Sequence, residues 1–511
     1  MAEEKLEQEG AAGAVVAPDE FEALLEKDFK PRTEEAKEEV SDAVRALAKA
    51  ALGRHQGDKL PAQSVNALRK MIAEIDGLLT EQINLILHHP EFQKIEGAWR
   101  GLRHLVTNTE SGTDLKIRVM HATKKEIAEE FAANPGDLWD QSSLFKKLYT
   151  SGYGVLGGDP YACIVGDYHF DHNAGDVAVL EGISRVAAAA HAPFISGVSP
   201  SLFDLDDWTP LPDLRDLSEI TARPTHIAWN ALRKKDDARY IGLAGPRFLG
   251  RRAYGAENPV DAFDFVEDTA ERDADGRKVG DIDNTKFCWA NSAFAMAANI
   301  TRSYKLYGWC ARIRGVESGG LVENLPTHVI KTEKGSYDSQ IPTEISIDDR
   351  REAEMAKLGL MPLVYNQNSN QACFIGAQSL HEPPEFEDNP IGNYATSNAA
   401  LGARLPYIFA CSRFAHYLKH MVRNKIGSYM ERDDMQRWLT NWINNYVEAS
   451  DTASEIAKAK RPLKAAEVVV DEDPENPGYY DAKFFLRPHY QLEGANISLR
   501  LVSKLPSEMS G

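Results

Sequence analysis

The sequence predicts a mixed α/β fold, an α+β mixed sheet, preceded by an N-terminal helical region. Three observations indicate this: helix-period apolar patterns before residue 89, alternating strand-like and helix-like segments after it, and a composition that can form a large core. Of 511 residues, 43% are hydrophobic and 26% are charged, close to the values of ordinary globular proteins. The length favours two or three domains.

The first 88 residues divide into a tail and a helical region. Residues 1–17 are rich in Glu, Ala and Gly, which predicts a disordered acidic tail. The region 18–88 is predicted to be helical, with helices over 33–52 and 62–88. Before them, a short helix ended by Pro31 carries its large apolar residues on one stripe: Phe21, Leu24, Leu25 and Phe29.

Residues 89–381 are predicted to form a central α/β domain. Segments 115–120 and 161–166 have the patterns of a half-buried and a buried strand, and 178–191 predicts a helix of small residues. Segment 255–285 is charged and poor in large apolar residues, which predicts mostly loop.

The acidic, proline-rich stretch 381–393 predicts a domain boundary, so residues 382–511 form a predicted C-terminal domain with terminal strands. Helical patterns cover 396–424, broken or kinked by Pro406, and 431–447. Near the end, Ile497, Leu499 and Leu501 alternate with polar residues, which predicts a strand that could pair with 483–492. Pro488 suggests that the earlier strand has an outer edge.

Charge and hydropathy exclude several classes of partner. There are 58 Lys and Arg against 77 Asp and Glu, a net charge of −19, with a pI near 5.3. Such a chain repels nucleic acid and anionic lipid as a whole. Because no stretch approaches the roughly 20 apolar residues of a membrane helix and no signal peptide is visible, we expect no membrane insertion and a cytoplasmic location.

Two motifs resemble chemical signatures. Gly152, Gly154 and Gly157 match GxGxxG, but a helical stretch precedes them and a strand follows, the reverse of a dinucleotide-binding site. We therefore expect a structural turn.

Asp167, His169 and Asp171 would share one face of a strand, next to His172, yet no second ligand pair lies at a typical spacing. We expect no metal and no cofactor. The alternative is a cytosolic enzyme that uses residues 152–172.

Cysteines and basic clusters are the remaining candidates. The five cysteines form no CxxC pair, so neither a zinc site nor a disulfide framework is indicated. Basic residues cluster at Arg233–Lys235 and at Arg247 with Arg251 and Arg252. They are either solvated loop charges or a docking face for an acidic protein.

Ordered strings along the chain resemble the large subunit of type VI secretion contractile sheaths, the TssC/VipB family. They are HPEFQKIEGAWRGL at 89–102, GDY at 166–168, DARYIGL at 237–243, PRFL at 246–249, GAQS at 376–379 and LPYIF at 405–409. No single string is a chemical signature, but their order makes the set specific. The resemblance spans about residues 85–450 and covers residues 1–60 only in length and helical character.

The resemblance implies a structural protein rather than an enzyme. Family members pair with a small sheath subunit, and the heterodimers stack into a helical sheath around an inner tube. The sheath assembles on a baseplate, contracts to drive the tube and effectors outward, and is recycled by a hexameric AAA+ ATPase.

The resemblance also implies roles for two segments. The stripe of Phe21, Leu24, Leu25 and Phe29 would bind the recycling ATPase, unless it packs on the chain's own helices. Ile497, Leu499 and Leu501 would form a strand shared between subunits, unless that strand completes the chain's own sheet.

Overall fold

The computed structural model of the chain describes residues 62–261, 263–273, 277–280, 282–331, 337–472 and 480–491. These residues form two compact units. The first contains residues 62–92 and 253–270, and the second contains residues 93–252 and those from 271 onward.

The first unit contains a long helix, α1 (Ala62–Leu87), and the start of a second, α2 (Pro90–Thr107). Helix α1 confirms the helix predicted over 62–88. Near its end, the Asn84 side-chain oxygen accepts a hydrogen bond from the Asp268 amide at 3.0 Å. The buried Glu267 carboxylate accepts one from the Tyr254 amide at 2.9 Å. These bonds hold an irregular segment, as the sequence of 255–285 predicts.

The second unit contains the strands and most of the helices. The strands are β1 (Ile164–Phe170), β2 (Phe194–Val198), β3 (Ile241–Gly245), β4 (Phe248–Leu249), β5 (Glu271–Arg272), β6 (Lys278–Gly280), β7 (Trp289–Ala290), β8 (Leu321–Val322), β9 (His328–Lys331), β10 (Tyr337–Gln340), β11 (Leu360–Asn366), β12 (Gln371–Phe374), β13 (Leu463–Glu472) and β14 (Tyr480–Pro488). The α-helices of five or more residues up to residue 357 are α3 (Lys124–Ala133), α4 (Ala174–Ala190), α5 (Leu217–Thr221), α6 (Ile227–Arg233), α7 (Ser292–Tyr307) and α8 (Asp349–Lys357).

Six strands form one mixed sheet, in the order β1-β2-β3-β11-β12-β8. Strands β1, β2, β3 and β11 are parallel, and β12 and β8 join them antiparallel. The parallel strands need helical crossovers, and α4 supplies the one from β1 to β2. Helix α4 begins four residues before the predicted helix because the Asn173 side chain caps it, accepting a hydrogen bond from the Asp176 amide. The predicted mixed α/β class is confirmed.

Apolar side chains from the two faces of the sheet enter two different cores. On one face, Leu243 and Leu360 pack with apolar residues of α4 such as Leu180. On the other, Ala244 and Met361 pack with α7. Because successive strand residues point to opposite faces, strands buried on both sides have nearly continuous apolar sequences.

The C-terminal part contains α9 (Pro390–Gly402), α10 (Leu405–Lys425), α11 (Arg432–Asn444) and α12 (Glu455–Lys460), followed by β13 and β14. Pro406 lies in the first turn of α10, where a proline needs no amide partner. The predicted break in the 396–424 pattern is confirmed, and α11 confirms the helix predicted over 431–447. The domain boundary at 381–393 stays a prediction.

The strand predicted over 115–120 is wrong. The segment is extended but pairs with no strand among the described residues. Its alternation is real, since Leu115 and Ile117 are half-buried while Lys116 and Arg118 are exposed. Alternation gives one buried face to any extended segment that lies on a core, and a neighbouring backbone is needed to make it a strand.

Candidate assembly surfaces

The partner-binding residues predicted from the sequence lie outside the described residues. This applies to Phe21, Leu24, Leu25 and Phe29 of the N-terminal stripe, and to Ile497, Leu499 and Leu501 of the terminal strand. The surfaces described below therefore come from other parts of the chain.

Strands β13 and β14 form a separate two-stranded antiparallel sheet, paired from Leu463 opposite Pro488 to Glu472 opposite Tyr480. One face is apolar: Val468, Val470 and Phe484 pack with Leu439 and Ile443 of α11. The other face is mostly polar and exposed, with the Lys483 ammonium 3.0 Å from the Asp471 carboxylate. The sheet is therefore anchored by one face.

Within the described part of the chain, the edges of this small sheet are largely unpaired. Along the outer edge of β13, backbone bonds from 446–448 reach only Leu463, whose carbonyl accepts from the Glu448 amide at 2.8 Å. No strand among the described residues lies along the outer edge of β14. Such an edge presents a row of free amides and carbonyls that can bind an added strand. Two-stranded sheets are marginal without further strands or a supporting helix.

An aromatic cluster packs in the same core as the apolar face of the small sheet. Trp309, which follows α7, has its ring centroid 4.5 Å from Phe414 of α10 and 5.3 Å from Tyr446. Trp442 of α11 lies 5.2 Å from Tyr446. Aromatic pairs at these distances add to the energy of burial. The cluster links the small sheet to the helix that covers the central sheet.

The residues from Asp167 to His172 serve separate structural roles. The Asp171 carboxylate accepts from the Asn173 amide at 2.8 Å, next to the start of α4. The His172 ring stacks on His226 at 4.0 Å. Burial lowers the pKa of His169 to about 3, with smaller contributions from nearby cations. No group of three or more potential ligands is placed to hold a metal in the described part of the chain.

The glycine motif is only partly a turn. A π-helix spans Lys146–Gly154, and β1 follows, so the predicted order of helix then strand is confirmed. Gly152 and Gly154 lie inside that helix, which corrects the turn predicted for them. Gly152 is buried, and a Cβ there would lie 2.8 Å from the Asp159 carbonyl oxygen. Only Gly157 of the three has a left-handed φ, +74°, as a glycine turn requires.

The two interpretations of the basic clusters fail at Arg233 and Arg251, whose buried side chains are structural. Arg233 is buried and donates to the carbonyls of Leu380 and Lys357. Arg247 pairs with Glu344. The buried Arg233 is neither solvated nor available for docking, and sequence cannot reveal such contacts because the partners are distant in the chain.

Helix α2, which contains residues 90–102 of the first family string, has two different faces. On the inner face, Gly97 and Gly101 leave no room for a Cβ against the Trp289 carbonyl and the Phe294 ring. Beside them, Arg251 donates twice to the Glu96 carboxylate, at 2.6 and 3.1 Å. Close packing and a bidentate ion pair therefore fix this helix.

Exposed apolar residues cover the outer faces of two helices. On α2 these are Ile95, Trp99 and Val106, with Trp99 67% exposed. On α1 they are Ile72, Ile75, Leu78, Leu79, Leu85 and Ile86. The helical period of α1 was visible in the sequence, but sequence could not show that its stripe lies at the surface. A group of exposed apolar residues on one helix face indicates a site of protein contact.

Comparison with known proteins defines the class. The EvpB/VC_A0108 tail sheath N-terminal domain matches residues 69–381, and the tail sheath gpW/gp25-like domain of the same family matches 394–505. A type VI secretion system sheath protein, TssC1 of Pseudomonas aeruginosa PAO1, is 53% identical over 490 residues, 96% of this chain and 95% of the relative. This is a tail sheath protein. The chain belongs to the VipB (EvpB/VC_A0108) family, which confirms the resemblance.

Two solved structures are similar at low identity. A chain of the anti-feeding prophage baseplate matches with 8% identity and a TM-score of 0.34, covering 64% of this chain and 66% of that one. The contracted helical sheath of the same particle matches with 10% identity and a TM-score of 0.28, covering 65% and 68%. The family assignment rests on the sequence matches.

In the described residues, no helix is long and apolar enough to cross a membrane.

Proposed function

We propose that this chain is the large subunit of a type VI contractile sheath and works in the bacterial cytoplasm as a structural part without catalytic activity. It pairs with a small sheath subunit, and the heterodimers stack around an inner tube on a baseplate. Membership of the tail sheath family supports this. The structural observation that carries it is the β13–β14 sheet, which is anchored by one face and has no strand of the described residues along the outer edge of β14.

The open edges suggest how subunits stay connected during contraction. The segment containing Ile497, Leu499 and Leu501 from one subunit adds as a strand to a small sheet of its neighbour. Main-chain hydrogen bonds supply affinity, and the alternate apolar side chains fix the register. A connection of this kind can persist while rigid subunits slide and rotate.

One substitution tests the strand connection. Leu499→Pro removes an amide donor and breaks the alternation, so we expect heterodimers but no long tubules when it is co-expressed with the small subunit. Size-exclusion chromatography reports the heterodimer, and negative-stain microscopy reports the tubules. Leu499→Val keeps the donor and serves as the control. Full-length tubules from the proline variant would show that the strand connects nothing.

Solubility separates the sheath subunit from the enzyme alternative. Expressed alone, a sheath subunit with this much exposed apolar helix should aggregate and should be rescued by its small partner. An enzyme built around residues 152–172 should fold and remain soluble alone. A monodisperse chain without its partner would count against the sheath assignment.

We assign the binding of the hexameric AAA+ recycling ATPase to the N-terminal stripe. The stripe would enter an apolar groove of the ATPase as the apolar face of an amphipathic helix. Leu24→Asp with Leu25→Asp should leave tubules intact and abolish ATPase binding in a pull-down from contracted sheaths. Glu22→Gln with Glu26→Gln alters the polar side and is the matched control. Unchanged binding by the Leu24/Leu25 variant would show that the stripe packs elsewhere.

A further inference from the structure

Charge is distributed unevenly along the C-terminal part of the chain. Residues 389–430 contain no Asp or Glu and carry Arg404, Arg413, Lys419, Arg423 and Lys425, although the whole chain has a net charge of −19. Directly before this stretch, residues 382–388 (EPPEFED) contain four acidic side chains in seven positions. An acidic and a basic segment are therefore adjacent in sequence, which makes the placement of each in the fold informative.

The acidic segment and the start of α9 carry exposed apolar side chains. We define the acidic knob as Glu385, Phe386, Glu387, Asp388, Ile391 and Tyr394. Ile391 is 83% exposed and Tyr394 68%. The knob has a defined shape, since the Phe386 amide donates to the Thr396 hydroxyl at 2.9 Å. In addition, Asn389 caps α9 through the Gly392 amide at 2.7 Å. Exposed aromatic residues held in this way resemble the anchors of protein interfaces.

A second exposed apolar group lies at the end of α10. We define the basic corner as Lys425, Ile426 and Tyr429, together with the neighbouring charge of Arg423. Ile426 is 79% exposed, and the Tyr429 side chain is wholly exposed. Arg423 donates to the carbonyls of Tyr153 and Val155, at 3.1 and 2.9 Å. The charge of Arg423 is thus held beside the corner by two hydrogen bonds whose acceptors are carbonyls and not carboxylates. Gly427, at φ +89°, allows the chain to turn there.

The two surfaces are complementary in charge, and each contains large exposed apolar side chains. The knob spans the segment before α9 and the first two turns of that helix, whereas the corner spans the end of α10 and the residues after it. None of the ion pairs among the described residues joins Lys425 to Glu385, Glu387 or Asp388. A contact between two different patches on identical chains is heterologous, and when its rotation does not close it propagates as a helix.

We propose that the acidic knob of one copy docks on the basic corner of a neighbouring copy in the sheath. The acidic side chains of the knob approach Lys425. The exposed aromatic rings and isoleucine side chains of the two surfaces pack against each other. Charge complementarity steers the encounter and selects this orientation over knob-to-knob contact. This inference rests on the sheath assembly proposed above and adds a specific contact between copies.

Charge reversal tests the contact in the complex of the full chain with its small subunit. We expect Lys425→Glu, and separately Glu387→Lys, to reduce tubule yield by about tenfold, which corresponds to about 1.4 kcal/mol, while heterodimers still form. The chain carrying both substitutions should recover at least half of the parental yield. Lys234→Glu alters another exposed lysine and should leave the yield unchanged.

A cross-link identifies the partner directly. One copy carries Phe386→Cys with one affinity tag, and another carries Tyr429→Cys with a different tag. In tubules assembled from the mixture, oxidation should join the two tags, whereas the parental cysteines should not. Absence of this cross-link, or a double charge reversal as poor as the single ones, would overturn the proposal.

Two further outcomes are informative. Loss of the heterodimer in Lys425→Glu would show that the corner binds the small subunit instead, and would also overturn the proposal. If the parent complex forms no tubules at all, the sheath function itself fails, and the contact between copies fails with it.

Discussion

The rings of Trp309 and Phe414 lie 4.5 Å apart, centroid to centroid, and are inclined by 31°. Trp309 follows α7, which covers one face of the central sheet, and Phe414 belongs to α10. Both are buried. The pair therefore connects the central core to the part of the chain that carries the open β13–β14 sheet. A force applied to that sheet can pass to the central core through this contact.

Truncating the connection should destabilise the protein. Trp309→Ala removes a buried aromatic side chain, which costs about 3 to 5 kcal/mol. We expect a lower melting temperature for the complex with the proposed small subunit, measured by scanning calorimetry. Leu306→Ala, an exposed position near the end of α7, is the control and should change it little. A Trp309 variant as stable as the control would show that the cluster does not support the fold.

Two glycines in neighbouring helices should respond in opposite directions to alanine. Gly97→Ala in α2 places a methyl group against the Trp289 carbonyl, so helix and strand must separate. Gly77 in α1 has nothing within 4 Å of an added Cβ, and alanine there should stabilise by up to about 1 kcal/mol through helix propensity. Thermal unfolding of both variants gives the comparison. Equal melting temperatures would contradict the close packing of α2.

Stability should fall in mild acid because buried histidines are neutral in the folded state. Burial lowers the pKa of His416 to about 4, against the ordinary 6.5. The unfolded chain therefore binds the proton more readily, and stability is lost as pH falls from about 6.5 to 4. His104, with its pKa lowered by burial to about 4, acts in the same direction.

The contribution of His416 can be isolated. In its titration range it adds at most about 1.4 kcal/mol per pH unit to the slope of unfolding free energy against pH. His416→Gln should reduce that slope, whereas Leu306→Ala, at an exposed position without a titratable group, should leave it unchanged. Denaturant unfolding of the complex between pH 4 and 7 measures the slopes. Identical slopes for parent and His416→Gln would refute the assignment.

The exposed stripe of α1 should bind the small subunit, because isolated chains rarely leave this much aliphatic surface in water. Ile75→Asp with Leu79→Asp places two charges on the stripe, and we expect the heterodimer to weaken by at least about tenfold, or about 1.4 kcal/mol. Glu81→Gln, on an exposed position of the same helix, is the control. Co-purification with a tagged small subunit reports the result, and full recovery of the double variant would exclude this surface.

Sequence patterns were reliable where the structure depends on local interactions. The helical period of 62–88 and the position of Pro406 give α1 and the start of α10, since helix boundaries follow from nearby side chains and from the missing proline amide. The sequence patterns failed at 115–120, where an alternating pattern has no neighbouring strand in the described part of the chain. Strand formation depends on a partner that is distant in sequence.

The sequence alone determined the mixed α/β class, the sheath family and the absence of a recognisable catalytic signature, because composition, period and ordered strings are properties of the chain itself. Tertiary structure alone decided that Arg251 binds Glu96, that α1 and α2 expose apolar faces, and that the outer edge of β14 carries no strand among the described residues. The physical reason is that burial and pairing depend on which distant segments meet. A charge or an apolar stripe has the same sequence whether it is buried against a partner or left for another subunit.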